Sequence, residues 1–237
     1  MESKVLKFTD PQAAAKACGA RILELLDRAR HQRGFATLAI SGGSTPRIMF
    51  EWMAAQPFHW TQVELFWVDE RCVPPDNDQS NFLMARKSLI DPARILPERI
   101  HRIEGELNPE EAARLYVENM GRTFAAAPGD LPVFDVIQRG MGPDGHTASL
   151  FPGEPLIEDR TGWAAAVRVE KLKQHRVTLL PGVLEKARHT VCLVAGSDKA
   201  DALSSVLNGA RDRMMWPAQI SSAEMEWYVD SAAAARL

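Results

Sequence analysis

The sequence predicts an α/β fold with a mainly parallel sheet, because short apolar runs with strand character alternate with helical stretches. Four of these runs end in glycine-rich or charged loops rather than in ordinary turns. The loops are SGGSTP at 41–46, DER at 69–71, GMGPDGH at 140–146 and GSDK at 196–199. Since ligands gather outside the carboxyl ends of parallel strands, we expect the four loops to share one crevice.

The first helix and the first strand follow from local signals. Asp10 and Pro11 are typical of a helix start and Gly34 of a helix end, so we expect a helix between them. The apolar run 37–40 predicts a strand. The glycine-rich loop after this strand leads to a second helix, which we expect to begin near Arg47.

The same order of strand, loop and helix is repeated downstream. Residues 63–68 predict a strand, and Ser80 is expected to cap a helix that runs through Leu89. Residues 109–126 are rich in Glu and Ala and predict a helix in an outer layer.

The second half of the chain continues the pattern. Strands are expected at 133–137 and 191–195, and a helix follows the second of them near Lys199. We find no internal repeat and no long linker, because the stretch 125–130 is only a loop-sized break. We therefore expect a single domain over 1–237.

Composition and charge limit the partners of the chain. Its 237 residues are 46% hydrophobic and 25% charged, which is ordinary for a globular protein with a sizeable core. The formal net charge of −3 provides no global positive field for nucleic acid or for an anionic membrane. We expect neither partner, and any anion site must be local.

The cysteines and the first residues predict a cytoplasmic protein. Cys18, Cys72 and Cys192 are odd in number and far apart, which fits reduced thiols better than disulfides or a zinc site. The opening MESKVLKFTDPQ lacks the layout of a secretory signal, and no run of about 18 apolar residues occurs. The pattern does not determine the assembly, and we expect a monomer or a small homo-oligomer.

The loop at 140–145 satisfies G-x-G-x-x-G, which raises the alternative of a dinucleotide site. That fingerprint needs a helix that opens directly from the glycines. Here Asp144 intrudes with a charge that repels a pyrophosphate, and the FPG at 151–153 stops any helix early. Glu158 and Asp159 lie near the distance of a ribose-binding acid, so the alternative stays open but is disfavoured.

His146 is the candidate general base. It follows Asp144 by two residues in a loop at a strand end, where a carboxylate can orient an imidazole. The alternative is a structural histidine satisfied by neighbouring backbone groups. No second histidine lies at ligand spacing and no HExxH is present, so we expect no metal.

The stretch SGGSTP is a candidate phosphate loop. Gly42, Gly43, Ser44 and Thr45 offer amides and hydroxyls where a helix begins. The loop lacks the lysine of a P-loop, and Pro46 occupies the last glycine position of a G-x-S-x-G elbow. The alternative is an ordinary glycine–serine turn.

Four charged residues complete the candidate site. Arg176 and Lys199 are cations that would neutralise a bound phosphate in a chain of negative net charge, although most such residues are merely solvated. Asp69 and Arg71 lie at the end of a buried run and are expected at the mouth of the crevice. Their alternative is a surface ion-pair cluster.

Taken together, these motifs resemble those of the 6-phosphogluconolactonase family, which is grouped with the glucosamine-6-phosphate deaminases. The resemblance covers nearly the whole chain and is carried by SGGSTP at 41–46, DERCVPPDNDQSN at 69–81, GMGPDGHTASLFPG at 140–153, RVTL at 176–179, VAGSDKADAL at 194–203, WPA at 216–218 and WYVD at 227–230. It implies a Rossmann-like α/β/α sandwich with a crevice for a 6-phosphosugar.

The activity that the resemblance implies is hydrolysis of 6-phospho-D-glucono-1,5-lactone to 6-phospho-D-gluconate, a step of the oxidative pentose phosphate pathway. On this hypothesis His146 is the base, Asp144 orients it, and Arg71 or loop amides stabilise the oxyanion. The phosphate lies on residues 42–45 with Arg176 and Lys199, and Asp69 accepts a sugar hydroxyl. No cofactor is expected.

Two other functions stay open. A deaminase or isomerase acting on glucosamine 6-phosphate belongs to the same group, but deaminase-like proteins have a tyrosine after DE and a catalytic glutamate beyond DGH. This chain has Arg71 and Phe151 there. The second alternative is a non-catalytic sugar-phosphate sensor.

A further departure from the family pattern is Gln138-Arg139 in place of an apolar pair. We expect Arg139 to pair with an acid such as Asp135 or to face the pocket.

Overall fold

The computed structural model describes residues 4–125, 127 and 129–237. Three parts of the sequence-based predictions lie partly outside this range: the first three residues of the opening segment, the last residue of the helix expected at 109–126, and residues 126 and 128 of the following loop. Within the described residues, the predicted α/β fold with a mainly parallel central sheet is confirmed.

A seven-stranded sheet, parallel throughout, forms the centre of the molecule, in the order β1-β10-β9-β6-β2-β3-β5. Its strands are β1 (Lys4–Phe8), β2 (Ala36–Ile40), β3 (Val63–Trp67), β5 (Ile100–His101), β6 (Val136–Arg139), β9 (His189–Val194) and β10 (Met225–Asp230). A separate antiparallel sheet has the order β4-β8-β7, with β4 (Asp69–Arg71), β7 (Ala164–Val169) and β8 (Gln174–Leu179).

Helices cover both faces of the parallel sheet. They are α1 (Pro11–Arg33), α2 (Ser44–Ala54), α3 (Asn81–Ala85), α4 (Asp91–Ala93), α5 (Pro109–Phe124), α6 (Pro181–Lys186) and α7 (Ala200–Asn208), with a π-helical turn (Arg86–Ile90) between α3 and α4. Short 3₁₀ turns occur at Trp60–Gln62, Pro97–Arg99, Pro155–Glu158, Glu170–Leu172, Ser197–Lys199, Pro217–Gln219 and Ala233–Arg236. None of the described helices is both long and apolar enough to cross a membrane.

The capping signals located the first helix correctly. An Asp10 side-chain oxygen accepts a hydrogen bond from the Ala13 amide at 2.8 Å, and Gly34 ends α1 with φ of 82°. Helix α2 begins at Ser44, three residues before the predicted Arg47. The difference arises because Gly43, with φ of 129°, turns the chain directly into the helix and leaves Pro46 in its first turn.

The sequence-based prediction missed several strands, and β4 shows one reason. Asp69–Arg71, expected as a polar strand end, is itself the short strand β4, which pairs with β8. The sequence also did not predict β1, β5, β7, β8 or β10. Three charged residues give no hydrophobic alternation, so only the pairing with a strand about 100 residues later reveals β4.

Alternate residues of the central strands pack on opposite faces of the sheet. On β10, Tyr228 joins the hydrophobic cluster formed with α1 and α2, whereas Trp227 joins a second cluster formed with α7. All five residues of β2 and of β3 are buried, as expected for strands covered on both faces. The sheet is therefore a rigid platform whose carboxyl ends carry the polar loops.

Candidate active site

The loops at the carboxyl ends of β2, β3, β6 and β9 surround one cavity of about 210 Å³, as the sequence predicted. Every predicted site residue except Asp144 lines it. The lining comprises Ser41, Gly42, Gly43, Ser44, Thr45, Pro46, Asp69, Arg71, Asn81, Gly140, Met141, Gly142, His146, Thr147, Ala148, Arg176, Leu193, Val194, Ala195 and Lys199. Asp144 lies in an adjoining pocket that shares Arg71, His146 and Arg176 with the cavity.

One side of the cavity is the junction between β2 and α2. Gly42 and Gly43 precede the first turn of this 11-residue helix, and Ser44 and Thr45 begin it. A Cβ atom at Gly42 would overlap the Asn81 side-chain oxygen, so glycine is required by the close approach of α3. Free amides at a helix N-terminus suit an anion, and phosphate binding by this loop stays a prediction.

His146 lines the same cavity, and its partner Asp144 lies in the adjoining pocket. His146 Nδ1 lies 2.6 Å from Asp144 Oδ1, and the same oxygen accepts the His146 amide at 3.2 Å. A Cβ atom at Gly142 would collide with the imidazole ring. The predicted partnership of the two side chains is thus present, and the ring is held by a carboxylate rather than by a backbone carbonyl.

Lys171 is a member of this pair that sequence reasoning missed. It lies on the 3₁₀ turn between β7 and β8, forms an ion pair with Asp144 Oδ2, and places its ammonium 4.3 Å from the centre of the Phe151 ring. The His146 imidazole stacks on the same ring with centroids 4.1 Å apart, and the Arg176 guanidinium carbon lies 5.8 Å from the ring centre. Lys171, distant in sequence and of a common type, gave no motif signal.

The electrostatics of the pair favour a neutral imidazole beside a charged carboxylate. Burial raises the pKa of Asp144, but hydrogen bonds from Lys171 and His146 outweigh it and lower that pKa to about 2. Burial also lowers the pKa of His146, and the Lys171 charge lowers it further, while Asp144 raises it. The result is a His146 pKa below its usual value, which keeps the ring available as a base at neutral pH.

The antiparallel sheet brings the predicted acid and cations together. The register of β4 and β8 sets Arg71 opposite Arg176. Arg176 Nη1 lies 3.9 Å from Asp69 Oδ2, and Ser149 Oγ donates to the same oxygen at 2.6 Å. Asp69 is only 5% exposed, which rules out the alternative of a surface ion-pair cluster.

Arg71 and Arg176 are each oriented by a glutamine. Arg71 Nη1 donates to the Gln79 carbonyl at 2.6 Å, and Arg176 donates from Nε and Nη2 to Gln174 Oε1 at 3.3 and 3.2 Å. The side chains of Gln174 and Gln79 are themselves bonded at 2.7 Å. Both guanidiniums are thereby held by uncharged acceptors, a main-chain carbonyl for Arg71 and a side-chain amide oxygen for Arg176. Neither glutamine neutralises their positive charge.

Glu70, between Asp69 and Arg71, has a supporting role. Its buried carboxylate accepts the amides of Asn81 and Phe82 at 2.8 and 2.7 Å and the Ser80 hydroxyl at 3.0 Å. It therefore fixes the start of α3, which in turn packs Asn81 against the phosphate loop. Burial raises the pKa of Glu70, and these hydrogen bonds oppose the rise.

Lys199 lies where β9 passes into α7. Gly196, with φ of 103°, turns the chain, and the ammonium of Lys199 forms an ion pair with Asp198. Lys199 and Arg176 line the same cavity but come from different elements. Arg176 lies on β8 beside Asp69, whereas Lys199 lies on the 3₁₀ turn that follows β9.

Both expectations for Arg139 were wrong. Its side chain is 1% exposed, does not line the cavity, and donates to the Ile220 carbonyl. Asp135 is paired instead with Arg33 and Arg188. Because β6 continues through residue 139 rather than ending at 137, alternation directs Arg139 to the side of the sheet that carries Cys192, and Gln138 to the other.

The alternative of a dinucleotide site is not supported by the loop. Residues 140–153 form turns and an isolated bridge between Thr147 and Leu150, with no helix after the glycines. Across residues 4–125, 127 and 129–237, no group of three or more His, Cys, Asp or Glu side chains could hold a metal ion. The expectation of a site that works without a metal stays a prediction.

The fold and the loops define a phosphosugar-type crevice, and comparison with known proteins identifies the family. The model for the family described as glucosamine-6-phosphate isomerases/6-phosphogluconolactonase matches residues 9–228. The chain belongs to this family. A protein of Nostoc sp. named 6-phosphogluconolactonase is 37% identical over 219 residues, which cover 91% of this chain and 90% of the relative.

Solved structures agree with the fold. The crystal structure of a devB protein superimposes with a TM-score of 0.86 at 33% identity, over 98% of this chain and 99% of that chain. A monomeric glucosamine-6-phosphate deaminase superimposes with a TM-score of 0.84 at 15% identity, over 99% of this chain and 100% of that one. The second likeness concerns the fold alone, so the two activities must be separated by side chains.

Proposed function

We propose that this protein hydrolyses 6-phospho-D-glucono-1,5-lactone to 6-phospho-D-gluconate, the lactone step of the oxidative pentose phosphate pathway. The observation that carries the proposal is that His146, hydrogen-bonded to Asp144, lines the same cavity as the residues that begin α2. A base and an anion site in one cavity suit an ester with a phosphate at its other end. The name of the Nostoc relative supports the same activity.

In the proposed mechanism His146 acts through Nε2. Since the Asp144 carboxylate only accepts hydrogen bonds, Nδ1 carries the proton and Nε2 is left as the acceptor. A water oxygen attacks C1 of the lactone while its proton passes to Nε2, and C1 becomes tetrahedral with a negative oxygen. When the C1–ring oxygen bond breaks, the imidazolium returns the proton to the ring oxygen, and the carboxylic acid that forms ionises.

The charged residues have separate proposed roles. Arg71 stabilises the oxyanion, together with loop amides, and Asp69 accepts a sugar hydroxyl. Gly42, Gly43, Ser44 and Thr45 bind the phosphate with Lys199 and Arg176. Support comes from their common cavity. Arg176 also contacts Asp69 and Ser149, so its guanidinium is held close to the Asp69 carboxylate.

Phe151 favours lactone hydrolysis over the deaminase alternative. Its ring stacks on His146, and it stands at the sequence position where the deaminase pattern has a proton-relaying glutamate. A phenyl group has no exchangeable proton. It also contributes to the burial that lowers the His146 pKa, which suits a base that abstracts a proton from water.

The test is hydrolysis of freshly generated lactone followed by NMR, with the spontaneous opening of the lactone measured in parallel. We expect rates well above this background for the protein and a return nearly to background for His146→Ala. Ammonia release from glucosamine 6-phosphate without faster lactone opening would instead support the deaminase. Saturable binding of the sugar phosphate without either reaction would support the sensor.

A further inference from the structure

The strands β2 and β6 are joined by an unusual combination of main-chain and side-chain bonds. Their ladder pairs only Leu38 with Val136 and Ala39 with Ile137. Beyond each end of this short ladder, a side chain of the β6 segment accepts a main-chain N–H of the β2 segment. At the amino end Asp135 Oδ2 accepts from Thr37 at 2.9 Å, and at the carboxyl end Gln138 Oε1 accepts from Ser41 at 3.0 Å.

The carboxyl-end bond lies directly beneath the phosphate loop. Ser41 is the residue between β2 and Gly42, and it lines the cavity. The chain runs outward from β2 to β3 and β5 on one side, and from β6 to β9 on the other, so the two strands meet where the sheet changes direction. At such a point the connections that leave the two strands diverge, and ligands bind in the crevice that this leaves at the carboxyl ends of the strands.

Among the described residues, the Gln138 side chain makes one hydrogen bond, the one that it accepts from Ser41. It is fully buried, and its side-chain nitrogen has no hydrogen-bond partner among the described residues. An apolar side chain at this position would leave the Ser41 N–H buried and unsatisfied, unless the loop moved to find another acceptor. The position of the glycines that follow Ser41 therefore depends on the carboxamide of Gln138.

We propose that Gln138 is a positioning residue for the phosphate loop: it fixes the Ser41 amide so that the amides of Gly42, Gly43 and Ser44 face the phosphate of the ligand. This inference depends on the proposed function only for the phosphate-binding role of the loop. It assigns to Gln138 a selective effect on phosphorylated ligands, rather than a general effect on folding.

The test compares Gln138→Met and Gln138→Asn with Thr37→Val. Methionine removes the acceptor at nearly constant length, asparagine keeps a carboxamide that is too short, and Thr37→Val removes hydroxyl hydrogen bonds to Asp135 at the other end of the same strand pair. Calorimetry measures binding of 6-phosphogluconate, gluconate and inorganic phosphate. Thermal unfolding of each variant is recorded in parallel.

We expect the two Gln138 variants to bind 6-phosphogluconate and phosphate about three- to tenfold more weakly, the loss that a single hydrogen bond of this kind gives. In turnover of the lactone the same change appears in KM, with kcat within about twofold. Thr37→Val lowers thermal stability without changing phosphate affinity. Equal phosphate affinity in all variants, or equal weakening by Gln138→Met and Thr37→Val, would overturn the positioning role.

Amide hydrogen exchange provides a test that needs no variant. If Gln138 holds Ser41, the Ser41 amide exchanges at least about tenfold more slowly than those of Gly42 and Gly43 in the unliganded protein. Exchange at the same rate as the glycines would contradict the bond. Because ligand binding and exchange do not require turnover, absence of lactone hydrolysis would refute the proposed function while leaving this inference to be decided by its own measurements.

Discussion

The two halves of the cavity are built in different ways. The half that we propose to bind phosphate consists of consecutive residues, Ser41 to Thr45, whose main-chain amides lie at a single strand-to-helix junction, together with the cations Lys199 and Arg176. The His146 half is assembled from segments far apart in the chain and consists of ionisable side chains. It combines the loop after β6 with Asp69 from β4, and Lys171 from the turn before β8 contacts it through Asp144.

This difference determines how each half responds to substitution. Backbone amides cannot be removed by changing a side chain, so the loop itself is altered only through the residues that orient it, such as Gln138 and Asn81. Lys199 and Arg176 are the side chains of this half that a substitution can remove. In the His146 half, each group is a separate side chain whose charge affects its neighbours. We therefore expect substitutions there to change rate and pH dependence, and substitutions around the phosphate to change affinity.

The largest expected effect is that of His146→Ala. Loss of the proposed general base lowers kcat about 10²–10⁴-fold and leaves KM nearly unchanged, because the imidazole acts on water and not on the phosphate. Steady-state kinetics with the lactone, corrected for spontaneous hydrolysis, measures the change. His31→Ala, which changes an exposed histidine of α1, is the control and retains the parental kcat. A parental rate in His146→Ala would assign water activation to another residue.

The second prediction addresses the phosphate half. Lys199→Met removes a charge-assisted contact worth about 1.5–3 kcal/mol and raises KM about 10- to 100-fold with a much smaller effect on kcat. Arg176→Ala acts in the same direction, because Arg176 is proposed to bind the phosphate as well. The measurement compares the phosphorylated lactone with D-glucono-1,5-lactone.

Only the phosphorylated substrate should respond to Lys199→Met. Lys16→Met, which removes an exposed cation from α1, is the control for net charge. If Lys199→Met weakened both lactones equally, Lys199 would not be a phosphate ligand, and the division of the cavity into an affinity half and a rate half would be wrong.

The same division explains what the sequence predicted. Contiguous motifs located the strand-to-helix loop at 41–46 and the His146–Asp144 pair, because each is encoded by neighbouring residues, and the parallel-sheet pattern placed both at the carboxyl-end crevice. Lys171, Gln174 and Gln79 were missed, because their roles depend on the antiparallel sheet that β4 and β8 form. Arg139 was misplaced because the predicted strand ended at 137, and a shift of the strand boundary changes which residue faces the pocket.

The third prediction concerns pH. The imidazole must be neutral to act as a base, so kcat/KM falls as pH falls through its pKa, and burial places that pKa below about 6.5. The positive charge of Lys171 lowers the His146 pKa. Lys171→Met therefore raises it and moves the acid limb of the profile to higher pH, by about 0.2–0.5 pH unit for so exposed a cation.

Two further variants sharpen this measurement. Asp144→Asn removes a carboxylate that raises the His146 pKa, so the acid limb of the pH profile moves to lower pH. This shift is opposite to that of Lys171→Met, and kcat also falls. Lys173→Met changes a neighbouring lysine of the same turn and leaves the limb in place. Shifts of both site variants in one direction would contradict the electrostatic coupling of Lys171, Asp144 and His146.

The smallest expected effect is that of Asp198→Asn. The ion pair with Asp198 competes with a phosphate for the Lys199 ammonium, so its removal lowers KM for the phosphorylated lactone. Since Asp198 is 61% exposed, water and salt screen the pair, and the gain is at most about threefold at low ionic strength. Kinetics at low and high salt measure it, and the difference from the parent disappears at high salt. A gain that persisted at high salt, or one seen also with the phosphate-free lactone, would mean that Asp198 acts on the cavity in another way than through Lys199.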